Sequence, residues 1–90
     1  MAKRNKLEIM KDVLELVSQN HNSIKPTPLL RKSNISSSRF KQYYQEILKK
    51  ALIREILDRK NNKTISLTEK GFRFLEKYQT IVHFIDEFEL

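Results

Sequence analysis

Apolar side chains recur at helical spacing over most of this chain and alternate only between residues 53 and 67. Leu7, Met10, Val13, Leu14 and Val17 keep to one face of a 3.6-residue period, which predicts a helix of about three turns. Glu8, Lys11, Asp12 and Glu15 fall outside that stripe, while Ile9 and Leu16 widen it and predict cover on two sides. The polar run Ser18 to Asn22, poor in helix formers, ends the segment. Ser23 to Thr27 reads as a link with a short extended piece at Ile24. Thr27-Pro28 is a helix-start signal, with Thr capping and Pro where its missing N–H costs nothing. Leu29 and Leu30 then open a short second helix that ends near Lys32 to Asn34.

The stretch Asn34 to Ile53 organises the rest. Asn34 and Ser36 are capping residue types, suited to accept from orphaned backbone N–H groups. Phe40, Tyr44, Ile47 and Leu48 form the apolar stripe of a third helix, and Ser37, Ser38, Lys41, Gln42 and Gln45 its short, polar, basic opposite face. Two helices joined by so short a turn predict a helix-turn-helix. Arg54 to Arg59 and Thr64 to Leu67 read as two strands, joined through Lys60-Asn61-Asn62-Lys63, where Asn tolerates the positive φ of a tight turn. Ile53, Ile65 and Leu67 should face inward; Ile56 and Leu57 are adjacent and cannot both do so. Arg59, Lys60 and Lys63 gather at the tip, making it a basic wing.

Thr68 caps a last helix expected from Glu69 to about Phe88, roughly 30 Å long. It carries two apolar stripes, one of Leu75, Tyr78, Val82 and Ile85, the other of Phe74, Ile81, Phe84 and Phe88. A small domain covers only the first turns of such a helix. Either a second copy buries the remainder, or the helix folds back on its own domain. The expected division is therefore 1–67 for the helix-turn-helix with its wing and 68–90 for a dimerisation helix.

Charge separates the same two parts. The chain carries 18 Lys plus Arg against 11 Asp plus Glu, a net charge of +7. Residues 1–67 hold +9 of this and residues 68–90 hold −2. The first part seeks a polyanion, whose condensed counterions basic side chains displace. Ala2 to Lys6 is a short basic arm, able to reach phosphates or simply frayed. With no cysteine, and with His21 and His83 far apart, neither disulfides nor a metal site is expected. No cofactor is expected either, since a single glycine leaves no phosphate-cradling loop, and no carboxylate cluster sits beside a histidine as an enzyme would need. No apolar run is long enough to span a membrane, and the first residues lack the apolar core of a secretory signal. The expected location is cytoplasmic.

The run S-x-x-x-F-x-x-Y-Y-x-x-I-L-x-x-A-L-I from Ser36 to Ile53, followed by a hairpin and L-T-E-K-G from Leu67 to Gly71, resembles archaeal winged helix-turn-helix DNA-binding proteins. Within them it is most similar to small dimeric, chromatin-associated members with a C-terminal antiparallel coiled coil, over roughly Leu7 to Ile85. Ala51 stands where that family usually has Gly. The resemblance implies a mainly α fold with a small β-hairpin and a long dimerisation helix. It also implies a nucleoid-associated homodimer on double-stranded DNA, as a transcriptional regulator or an architectural protein. The residues expected at DNA are Ser37, Ser38, Arg39, Lys41, Gln42 and Gln45 from the helix and Arg59, Lys60 and Lys63 from the wing. Those expected at the dimer seam are Phe74, Leu75, Tyr78, Ile81, Val82, Ile85 and Phe88. A different class, the winged helix that docks other proteins within an assembly, is opposed by the basic, polar outer face. RNA binding is opposed by the scarcity of exposed aromatic platforms apart from Tyr43.

Overall fold

The computed structural model describes residues 5–90 and orders its elements as α1 (Lys6–Gln19), α2 (Pro26–Ser33), α3 (Ser37–Lys49), β1 (Ile53–Leu57), β2 (Lys63–Leu67) and α4 (Glu69–Glu87). Of the expected basic arm, residues 2–4 lie outside the described residues. Asn5 caps α1 by accepting from the Glu8 N–H at 2.8 Å, and Lys6 already belongs to that helix. The core joins Met10, Val13, Leu14 and Val17 of α1 to Leu29, Phe40 and Ile47 of the next two helices and to Leu52, Ile53, Ile65 and Leu67 behind them. Ile9 is buried and Leu16 half-buried, so α1 is covered on more than one side; Leu7, expected inward, lies exposed in the first turn.

The second helix starts one residue before the Thr27-Pro28 signal. Pro26 takes the first helical position and Lys25 the cap, without any side-chain hydrogen bond, so Thr27 does not cap. Asn34, expected at a helix start, instead closes α2 in the left-handed conformation at φ 57°, which its short polar side chain tolerates. Ser36 caps α3, accepting from the Arg39 N–H at 3.4 Å.

The strands pair antiparallel with Ile53 opposite Leu67 and Leu57 opposite Lys63. Ile24 adds one bridge on the outer edge of β2, its N–H donating to the Ile65 carbonyl at 3.1 Å and its carbonyl accepting from the Ile65 N–H at 2.7 Å. Ile53, Ile65 and Leu67 face the core as expected, whereas Ile56 and Leu57 are both exposed. Of β1 only Ile53 enters the core, and the strand beyond it contributes no buried side chain. The connection spans Asp58 to Asn62, longer than the sequence implied. Its organiser is Asp58, whose carboxylate accepts from the Lys60 N–H (2.8 Å), the Asn62 N–H (2.9 Å) and the Asn62 side-chain amide (3.2 Å). Asn61 supplies the positive φ of 63°.

Helix α4 is pinned at its base. Thr68 Oγ accepts from the Gly71 N–H at 3.1 Å and donates to the Ala51 carbonyl at 2.6 Å, while the Thr68 N–H donates to the Leu52 carbonyl at 3.1 Å. A β-carbon on Gly71 would sit 2.1 Å from the Leu52 carbonyl oxygen, so the helix can approach this turn only with glycine there. Phe74 and Leu75 pack against the core, and Tyr78 lies with Lys11 Nζ 5.7 Å from its ring centroid. Beyond them Ile81, Phe84, Ile85 and Phe88 are exposed.

Candidate nucleic-acid interface

The apolar face of α3 determines which residues its other face presents. With Phe40 and Ile47 buried and Tyr44 and Leu48 half-buried, Ser38, Lys41, Gln42 and Gln45 point outward within a sector of about 100°. All four are exposed, as is Ser37 at the start of the helix. Arg39, expected with them, projects from the flank nearer Tyr43. Lys49 was not singled out from the sequence, yet it lies one turn beyond Gln45 on the same outer face and is exposed. Its position in the polar sector was the available signal. Among the described residues, no carboxylate pairs with Arg39, Lys41 or Lys49, and the nearby Glu46 is engaged by Lys6 at 2.5 Å and Lys50 at 3.6 Å. The outer face of the helix therefore keeps its positive charge.

The wing is tied to this helix through one contact chain. The Tyr44 hydroxyl donates to Glu55 Oε2 on β1, and the same oxygen lies 3.2 Å from Lys63 Nζ on β2. Burial, reinforced by the hydrogen bond to Glu55, pushes the Tyr44 phenol above its ordinary range and keeps it protonated. The Tyr44 hydrogen bond, helped by Lys63, holds the Glu55 carboxyl below its ordinary value. Lys63 is thus partly neutralised by Glu55 on the facing strand, while Arg59 and Lys60 project from the exposed tip. At that tip the Asn62 and Lys60 backbone amides hold the Asp58 carboxyl below its ordinary value. Charged Asp58 is thus engaged within the turn itself. Sequence reading missed both Asp58 and Glu55.

Helix, tight turn, helix, a hairpin at its C-terminal side and a strand bridge at Ile24 together define a compact architecture. The family described as winged helix-turn-helix matches residues 3–85. The chain belongs to the winged helix-turn-helix family. Comparison with curated protein sequences finds no match. Among solved structures, this winged helix is similar to Sso10a-2, a DNA-binding protein from Sulfolobus solfataricus, with a TM-score of 0.75, 17% identity, and 96% of this chain and 86% of that one covered. It is also similar to F93 from STIV, a winged-helix DNA-binding protein, with a TM-score of 0.73, 17% identity, and 89% and 91% covered. MepR, a transcription regulator of the Staphylococcus aureus multidrug efflux pump MepA, gives a TM-score of 0.74 at 15% identity over 88% of this chain and 59% of that one. At such identities the likeness is one of fold. Among the described residues no group of three or more metal-ligating side chains occurs, and no helix is long and apolar enough to cross a membrane.

Proposed function

We propose that this winged helix binds double-stranded DNA, with α3 in the major groove and the Arg59–Lys60 tip along the adjoining backbone. The observation that carries the reading is the outer face of α3, where Ser38, Lys41, Gln42, Gln45 and Lys49 project outward beside exposed cations on the wing. A groove-facing helix needs short polar side chains to approach base edges and cations to meet phosphates. Similar folds are described as DNA-binding in Sso10a-2 and F93. Most of the affinity comes from phosphate contacts, which set register and carry little sequence information. Gln42 and Gln45 are the candidates for reading bases, and the protein acts as a regulator if they do and as an architectural, nucleoid-associated protein if they do not.

We further propose that the chain works as a homodimer joined through α4, with the division at Thr68 between the DNA-binding part and the handle. Support comes from Ile81, Phe84, Ile85 and Phe88, exposed apolar residues that continue a helix already anchored at its base. Two DNA-binding units held at a fixed separation gain effective concentration at paired sites.

A salt titration against duplex, single-stranded and RNA probes tests the DNA reading. Binding to duplex should be tightest, with log K falling linearly with log salt by roughly 0.9 per phosphate neutralised. Preference for RNA, or affinity indifferent to salt, would contradict it.

A further inference from the structure

The cations expected at the wing are not equivalent. Arg59 and Lys60 are exposed at the tip, and among the described residues no carboxylate pairs with either. Lys63 stands behind them on β2, its ammonium 3.2 Å from Glu55 Oε2. The register explains this pair. Glu55 lies opposite Ile65, so Lys63 is its diagonal neighbour on the same face of the hairpin, within reach of long side chains. On that face Ile53, Ile65 and Leu67 enter the core, and Glu55 is the half-buried position just beyond them. Tyr44 of α3 closes the chain by donating its hydroxyl to the same carboxylate oxygen. Its ring stacks on that of buried Phe40, so the hydroxyl is held from the core side.

Resting on the DNA-binding reading above, we propose that Glu55 is a positioning residue of the interface, which sets the wing against α3 through Tyr44 and withholds Lys63 from the DNA backbone. Lys63 is then a strut and not a phosphate contact, and the wing meets DNA through Arg59 and Lys60. One oxygen carries both roles. Tyr44 needs only an acceptor there, whereas Lys63 needs a negative charge. A phosphate can take Lys63 from Glu55 only by leaving that carboxylate unpaired beside a polyanion, which is repulsive. Phosphate contacts add affinity for any sequence, so withholding one cation lowers the sequence-blind share of the binding. A wing tied to α3 also keeps the tip and groove contacts at one separation.

Substitutions in the 90-residue chain separate these roles. Glu55→Gln keeps an acceptor for Tyr44 and removes the charge that holds Lys63. The freed ammonium then reaches a phosphate, so the slope of log K against log salt on duplex DNA should steepen by about 0.9. Lys63→Ala alone should leave the slope at its wild-type value and weaken binding at most about fivefold, the range of a partly exposed ion pair. Glu55→Gln combined with Lys63→Ala should return the slope to the wild-type value. Lys41→Ala is the control, expected to flatten it by about 0.9. Tyr44→Phe tests the tether without DNA, since amide nitrogen relaxation should show faster motion of the hairpin in the free protein while α1 is unchanged. If Lys63→Ala flattens the slope as Lys41→Ala does, Lys63 is an ordinary phosphate contact and the proposal is overturned. An unchanged slope in Glu55→Gln, or a hairpin untouched by Tyr44→Phe, overturns it too. So does a double variant that stays steep, which would assign the change to the lost carboxylate and not to Lys63. If the wild type itself shows no salt-dependent binding to duplex, the DNA reading fails and the proposal with it.

Discussion

At Ala51 the backbone turns left-handed, with φ 60°, on a residue that carries a β-carbon. The turn leads α3 into β1, and the Thr68 hydroxyl, bonded to the Ala51 carbonyl, holds it in place. For an L-residue this conformation costs roughly 1–2 kcal/mol, and glycine relieves that cost while losing some entropy on folding. Ala51→Gly should therefore stabilise the fold by about 0.5–1 kcal/mol, read as a raised denaturant midpoint with unchanged slope. The sequence shows an Ala after α3, but it does not show that the backbone there turns left-handed. The structure places that turn on the Ala itself. Gly71 gives the opposite sign. A methyl there meets the Leu52 carbonyl, which is fixed backbone, so Gly71→Ala should destabilise by about 1–3 kcal/mol in the same measurement. Nothing in L-T-E-K-G distinguishes that reason from a flexible turn, because the colliding atom lies on the other side of the fold. At the interface, Lys41→Ala should flatten the salt slope by about one phosphate. Gln42→Ala should cost about 1–3 kcal/mol at a specific site and little on random DNA if the residue reads a base.

Among elements, the joint between α3 and the wing pairs two groups shifted in opposite directions, Glu55 down and Tyr44 up. Glu55 titrates below its ordinary 4.5 in the folded protein, so its contribution to stability is present above that pH and is lost as the pH falls through the folded value. Tyr44 titrates above its ordinary 10.0, so its contribution is present below pH 10 and is lost as the pH rises beyond it. Thermal unfolding followed across pH should show both losses in the wild type. Glu55→Gln should remove the acid-side dependence due to this joint and reduce the alkaline one, and an unchanged acid limb would contradict the assignment. The helices themselves were legible because each keeps one apolar face and begins or ends on an identifiable residue, as at Ser36 and Thr68. The strands were legible less well. Their inward residues Ile53, Ile65 and Leu67 follow from alternation, but the outward Ile56 and Leu57 do not, since periodicity marks apolar residues and not how far a strand projects from the core. The Tyr44–Glu55–Lys63 chain joins residues from three elements, and no local pattern announces it. The start of α2 was displaced for a simpler reason: Pro26 and Pro28 offer the same signal two residues apart, and the chain uses the earlier one.

At the scale of the molecule, a basic domain carries an acidic-ended helix whose exposed stripe continues past its own core. Phe84→Glu together with Phe88→Glu changes only exposed positions, and should leave a folded, helical monomer that binds duplex DNA far more weakly than Gln42→Ala does. Sedimentation and circular dichroism on the same sample would separate loss of pairing from loss of fold. The central claim, that the outer face of α3 and the wing tip meet duplex DNA, is tested most directly by titrating the isotope-labelled protein with a duplex and following backbone and side-chain NMR shifts. The shifts should concentrate at Ser37, Ser38, Lys41, Gln42, Gln45 and Lys49 and at Arg59 and Lys60, leaving the exposed face of α1 and the Phe84 to Phe88 end of α4 unmoved. Shifts confined to α1 or to the far end of α4, with α3 silent, would contradict it.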